Sequence, residues 1–473
     1  MIDNIKLANY KSFFADQVKE AIDEQQKINR SQMRNLFKTG ELSLAYVDSI
    51  QHETGMIILK CPRRMAPRLK VLKGVCIIKK GAKQALGEHV TEWICRWDEF
   101  VDNKDFHSSG SDMTPMYYVH TGDSNYDYVA CSGFSFKLYD ILSKALVDGK
   151  SLSLIVHNPF PPVEYFRNLA SYMDAFSSND ELNLEPTIDY EEWTPEELAF
   201  DEQKPTGISD TIIDTLANEH CCIVQGPPGT GKSYTIASVI SSYLDAGKTV
   251  CVTTMANKGL IELIKQKPLQ KYVKEGRVSK TNLSIDERKQ VSGVKAASAD
   301  LQVPGGEMLC ATNYQLSSVF SEKKMTLYGL PQYDLVVIEE ASQAFLTAIV
   351  AFKQLGIDCL IVGDPMQLPP IVKLNNPQYN SWNVATQVEG LKSMVLGTSI
   401  KSYRIVTTFR LTSRSASLTK CFYGNRFVSV KQDYLDFTKA NSVLFPQDGG
   451  VLYHCTLDVR NGVYSDKADA IIR

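Results

Sequence analysis

No stretch of the 473 residues approaches the roughly 18–20 uncharged apolar residues that a membrane-spanning helix needs. The opening segment, MIDNIKLANYKSFFADQVKE, carries acids and lacks the apolar core of a signal peptide, so export is not expected. None of the eleven cysteines forms a CxxC pair, and only Cys221 and Cys222 are adjacent. That spacing speaks against a zinc module and a disulfide framework and fits a reducing compartment, so the expectation is cytoplasmic. A net charge of −3 gives no global attraction to a polyanion; any nucleic-acid contact has to come from local basic patches. No internal repeat is present.

Apart from these absences, the chain has ordinary globular content, 44% hydrophobic and 22% charged, and length for several domains. Residues 1–41 read as helical. From 42 to 137, short runs such as GMIILKC, GVCIIKK and YDYVACSGF alternate β-formers with turn residues, which predicts a small β-barrel. Residues 138–148 and 162–176 read as helical again, within a returning module of 138–178. The acidic, proline-containing stretch 179–205 reads as a solvated linker. From 206 onward strands and helices alternate in the α/β manner.

The strongest signal is CCIVQ-GPPGTGKS-YTIASVISSYLDAG: an apolar strand, a glycine-rich loop and a helix. The loop and its flank (Gly226, Pro227, Pro228, Gly229, Thr230, Gly231, Lys232, Ser233 and Tyr234) are the candidate nucleotide cradle. Glycines let backbone N–H groups turn inward around phosphate oxygens, and the helix N-terminus adds partial positive charge. Lys232 would reach the β and γ phosphates, and the Ser233 hydroxyl would hold Mg²⁺. The expected cofactors are therefore ATP and Mg²⁺. A second buried run, LVVIEEASQ, ends in two adjacent acids, whose charge the metal cation bound with a triphosphate would offset. Glu339 is the candidate metal ligand and Glu340 the candidate general base for the attacking water.

Three further segments narrow the use of the nucleotide: IDCLIVGDPMQLPPIV with Gln367, TTFRL with Arg410, and TTMANKG directly after the phosphate-loop helix. Together these resemble a superfamily 1 helicase of the 1B class, near the group of the nonsense-mediated-decay helicase and senataxin. GPPGTGKS resembles motif I, VVIEEASQA motif II, GDPMQLPP motif III and TTFRL motif IV, while TTMANKG and LCATNYQ resemble motifs Ia and Ic.

The resemblance implies an α/β fold with a P-loop RecA-like parallel sheet. It would comprise stalk helices (1–41 and 138–178) carrying a β-barrel, a first RecA-like domain (206–395) with a basic insertion at about 258–305, and the start of a second (396–473). It further implies that Gln367 senses the γ-phosphate, that Arg410 is the arginine finger, and that Asn257 and Thr312 contact single-stranded DNA or RNA. Translocation would run 5′ to 3′. Basic residues between 60 and 80 and between Lys258 and Lys295 could add phosphate contacts.

The pattern departs from the family in three places. Glu339 stands where the first acid is commonly aspartate. Where relatives place an adenine-reading glutamine, this chain has Gly207, Ile208, Ser209 and Asp210, with Gln203 too early. Fewer than 80 residues follow residue 395, whereas a complete domain needs on the order of 150, so further C-terminal domains or a protein partner are expected. The leading expectation is an ATP-driven single-strand translocase. The alternative is a nucleotide-controlled switch that binds nucleic acid or recruits a partner without processive movement.

Overall fold

The computed structural model describes residues 4–32, 34–36, 43–54, 56–62, 71–77, 114–119, 125–131 and 153–157, five residues between 140 and 147, and 163–431 apart from 284, 299, 322, 323, 325–329, 374 and 375. Among the described residues there are two large bodies of β-structure, besides a two-stranded parallel pair of Thr407–Thr408 with Val428–Ser429. Six strands, β1 (Ser43–Gln51), β2 (Met56–Pro62), β3 (Val71–Ile77), β4 (Thr114–Val119), β5 (Tyr126–Cys131) and β6 (Ser153–His157), close an antiparallel barrel in the order β1-β2-β5-β4-β3-β6. The expected barrel ended at residue 137, but β6 closes it. The run SLIVH, placed by the sequence in the returning module 138–178, pairs with both β1 and β3. Its isoleucine and valine are β-branched residues that favour strands.

The second body is a nine-stranded sheet in which every pair is parallel. It is built from β7 (Glu196–Leu198), β8 (Cys221–Gln225), β9 (Val250–Thr254), β10 (Val278–Lys280), β11 (Lys295–Ala296), β12 (Met308–Thr312), β13 (Tyr333–Ile338), β14 (Gly356–Gly363) and β15 (Ser402–Ile405). The spatial order is β11-β10-β12-β9-β13-β14-β8-β15-β7. Its central strands are buried on both faces, which is why they read as unbroken apolar runs rather than alternating ones. This is the P-loop, RecA-like α/β fold expected from the sequence.

Three expectations need correction here. First, 179–205 is not a free linker. Leu182 and Trp193 are buried, the Thr187 N–H donates to the Leu396 carbonyl (2.9 Å), and β7 forms the sheet edge beside β15. Second, β15 pairs with β8, so the segment after residue 396 begins as a strand of the first sheet. Third, the basic stretch after Lys258 supplies β10 and β11 to the same sheet. Several of its cations serve the fold: Lys280 is fully buried, Arg277 donates to the carbonyls of Gly306 and Leu244 (both 2.7 Å), and Lys271 pairs with Asp245. In the other basic region, 63–70, 79 and 80 lie outside the described residues, as does 432–473.

The helix Asn4–Arg30 and the helix Glu164–Ala175 share one hydrophobic core with the sheet. Phe345 stands at its centre, with the rings of Phe13, Phe14, Tyr165 and Phe166 within 5.4–6.2 Å. Each such pair adds about 0.5–1.5 kcal/mol beyond the area it buries. A polar clamp reinforces the contact. The Gln17 amide donates to the Lys373 carbonyl (2.9 Å) and accepts from the Lys373 N–H (3.1 Å), while Asp16 accepts from Asn376 and Tyr379.

Candidate nucleotide and strand sites

The carboxyl ends of parallel strands are where open α/β sheets bind ligands. The sequence-predicted residues collect there because their strands are neighbours. Gln225 of β8 lies opposite Gly363 of β14, Ile338 of β13 opposite Ile361 of β14, and Thr312 of β12 opposite Thr254 of β9.

Gly229 and Gly231 adopt φ of 77° and 78°, a left-handed backbone that costs other residues strain and turns successive N–H groups to one side. The helix Lys232–Asp245 begins directly behind them. The Lys232 ammonium donates to the Gly226 carbonyl (2.6 Å), so it lies across the loop mouth.

From the adjacent strand end, Glu339 is buried, and its Oε1 accepts from the Ser233 hydroxyl (3.2 Å) while its Oε2 has no hydrogen-bond partner among the described residues. Burial, and then the charge of Glu340, push its carboxyl up to about 7, against the opposing pull of Ser233 and Lys232. A hydroxyl and an orphaned buried carboxylate oxygen are the hard oxygen donors that Mg²⁺ takes, so these residues fit the ion. Glu340 follows at φ 52°, ψ 42°, a left-handed conformation unusual for a residue with a Cβ.

The GDPMQ segment converges on Asp364, which is fully buried. Its carboxylate accepts from Gln225 (3.0 Å), the Tyr423 hydroxyl (2.8 Å), the Met366 N–H (3.1 Å) and Gln367 (3.4 Å). Arg404 in turn donates to Gln225 (2.6 Å) and stacks over Trp193. This network holds Gln367 next to the phosphate loop. Sequence reasoning named Gln367 and gave Gln225, Asp364 and Tyr423 no role; a polar residue at the end of an apolar strand marks the first two, while Tyr423, on the helix Lys420–Tyr423, has no such mark.

The TTFRL segment lies against the loop itself. The Phe409 N–H donates to the Gly229 carbonyl (2.8 Å), and the Thr408 hydroxyl donates to the Pro228 carbonyl (3.0 Å). A Cβ placed on Gly229 would come within 2.3 Å of the Arg410 Cβ. The Arg410 side chain is exposed and, among the described residues, makes no side-chain hydrogen bond or ion pair.

Asn257 is exposed, and its Oδ1 accepts from the buried Lys280 ammonium (2.7 Å), which also pairs with Glu287. The cation beneath fixes the amide so that its NH₂ end is turned away from Lys280. Thr312, by contrast, is only 6% exposed. At that strand end the open side chain is Tyr314, which sequence reasoning passed over.

Residues 209–373 match the family model of an AAA domain. Curated relatives include the DNA replication ATP-dependent helicase/nuclease dna2 of Schizosaccharomyces pombe, 29% identical over 245 residues, spanning 48% of this chain and 16% of that protein. The Saccharomyces cerevisiae protein DNA2 is 26% identical, over 41% of this chain and 12% of its own length. The Arabidopsis thaliana protein JHS1 is 19% identical, over 54% and 17%. The chain thus spans less than a fifth of each of these relatives. Among solved structures, the Arterivirus nonstructural protein 10 helicase is 14% identical at a TM-score of 0.28, covering 46% of this chain and 43% of that one. The chain carries a P-loop domain that matches the AAA model over residues 209–373.

Proposed function

We propose that this chain is the ATPase core of a superfamily 1B motor that moves along single-stranded nucleic acid, 5′ to 3′. The observation that carries the reading is the convergence of Lys232, Ser233, Glu339 and Glu340 with the backbone of motif IV at one strand-end seam. ATP would lie in the phosphate loop. Mg²⁺ held there by Ser233 and Glu339 would offset phosphate charge. Glu340 would take the proton of the attacking water. Gln367 would contact the γ-phosphate, and Arg410 would stabilise the charge developing on the transferred group. Asn257, and Thr312 through its backbone, would follow the strand across the adjacent strand ends. The helicase function printed for the curated relatives supports this assignment.

The test is ATP turnover by the full-length protein with and without single-stranded DNA or RNA. A motor gives strong stimulation, because the bound strand completes the ordering of the catalytic groups. Unchanged turnover favours the nucleotide-controlled switch.

The base subsite supports a further expectation. Residues 207–210 open the helix Gly207–Glu219, and Asp210 is engaged by Thr206 (2.9 Å). Gln203 lies exposed on the preceding turn, and the nearby rings of Phe200 and Phe409 meet edge to face at 5.1 Å. A site that reads no donor or acceptor of the base discriminates poorly. GTP, CTP and UTP are therefore expected to be hydrolysed within about tenfold of ATP in kcat/KM. A preference of a thousandfold or more for ATP in a competition assay would contradict this.

A further inference from the structure

Tyr314 has no role in the nucleotide site, yet it occupies a telling place. It lies two residues past Thr312, the end of β12, and Thr312 is in register with Thr254 of β9, which leads within three residues to Asn257. Parallel neighbours lie about 4.8 Å apart, so the turns bearing Tyr314 and Asn257 leave adjacent strand ends. On the other side Tyr314 meets the helix Glu164–Ala175, which follows the last barrel strand: its ring centroid is 4.7 Å from that of Tyr165, tilted by 35°.

Tyr314 differs from every other ring of that aromatic cluster. Tyr165 and Phe345 are closed off at 1% and 2%, whereas Tyr314 is 40% open. An aromatic present only to seal the core would be covered, as Tyr165 and Phe345 are. Its backbone is also held firmly. The Asn313 carboxamide accepts from the Thr253 hydroxyl (2.7 Å) and reaches the Met255 sulfur (3.7 Å), and Asn313 is itself buried. A ring backed by a packed aromatic and fixed at its root loses little freedom when a flat ligand settles on it.

We infer that Tyr314 is a stacking platform for a nucleobase of the bound single strand. It would seat one base between the carboxyl edge of the sheet and the barrel-bearing helix. The inference deepens the proposed function and rests on it. Contacts to phosphate and sugar alone hold a strand without regard to its bases, whereas a stacking ring senses whether a base is there. Every base has a flat face, so the platform tolerates all four.

The experiment compares binding of a short single-stranded DNA with the same backbone bearing only abasic sugars, by fluorescence anisotropy, for the full-length protein and its Tyr314→Ala and Tyr314→Trp variants. The wild type is expected to bind the base-bearing strand roughly ten- to a hundredfold more tightly than the abasic one. Tyr314→Ala should lose most of that difference, with its affinity for the abasic strand and for nucleotide unchanged. Tyr314→Trp should restore the difference. Stacking releases no counterions, so the slope of log affinity against log salt should be the same for wild type and Tyr314→Ala. Equal wild-type binding of both strands overturns the inference and leaves the motor reading standing, as does full discrimination retained by Tyr314→Ala. Failure of the wild type to bind any single strand removes both.

Discussion

Replacing Glu340 by glutamine is expected to lower ATP hydrolysis by about 10²–10⁴, the usual contribution of a positioned general base, while nucleotide affinity stays within a few-fold. The geometry separates the two adjacent acids. Glu339 is buried against Ser233, whereas Glu340 turns away through a left-handed backbone and is partly exposed. Glutamine keeps the shape of the side chain but cannot accept the proton of the attacking water. Single-turnover hydrolysis with a parallel equilibrium titration of a fluorescent nucleotide measures both quantities. Glu339→Gln should behave differently, weakening the magnesium-dependent part of nucleotide binding. Glu340→Gln retaining rates within threefold of wild type would remove Glu340 from the chemistry.

Arg410→Ala is expected to reduce strand-stimulated turnover by about 10³–10⁵ with little change in nucleotide affinity, since an arginine finger acts on the transition state. Its root is pinned where Phe409 and Thr408 bond to the loop carbonyls, and its side chain is left exposed. Lysine should not substitute, because a point charge cannot reproduce the planar two-pronged contact with a phosphoryl group. A loss below tenfold, measured on the full-length protein with saturating single strand, would show that Arg410 is an ordinary surface residue.

The parts legible in the sequence were those with local signatures. The phosphate loop needs its glycines at φ of 77° and 78°, and no other residue type meets that need cheaply. The buried parallel strands declared themselves as apolar runs bounded by polar ends. What escaped were elements whose identity depends on distant partners. EEL at 196–198 looks like solvated acid, yet it is a strand because β15 offers it an edge. Lys280 looked like one cation of a surface patch, but Asn257 and Glu287 make its burial tolerable, and neither pairing is visible in one dimension. Tyr314 escaped for a related reason: whether an aromatic lies inside a cluster or at its rim is decided by the fold.

The bidentate grip of Gln17 on the Lys373 backbone has a mechanical consequence. Lys373 lies a few residues beyond Gln367, and Gln17 sits near the midpoint of a 27-residue helix, a rod about 40 Å long. Nearer its start the same rod is tied again, where the Lys6 ammonium donates to the carbonyls of Asn183 and Leu184 (3.2 and 2.6 Å). Held at two points and set in a close-packed aromatic bed, it is braced against tilting and moves with the sheet as one piece. A shift of the segment that carries Gln367 would thereby displace the whole rod rather than bend it.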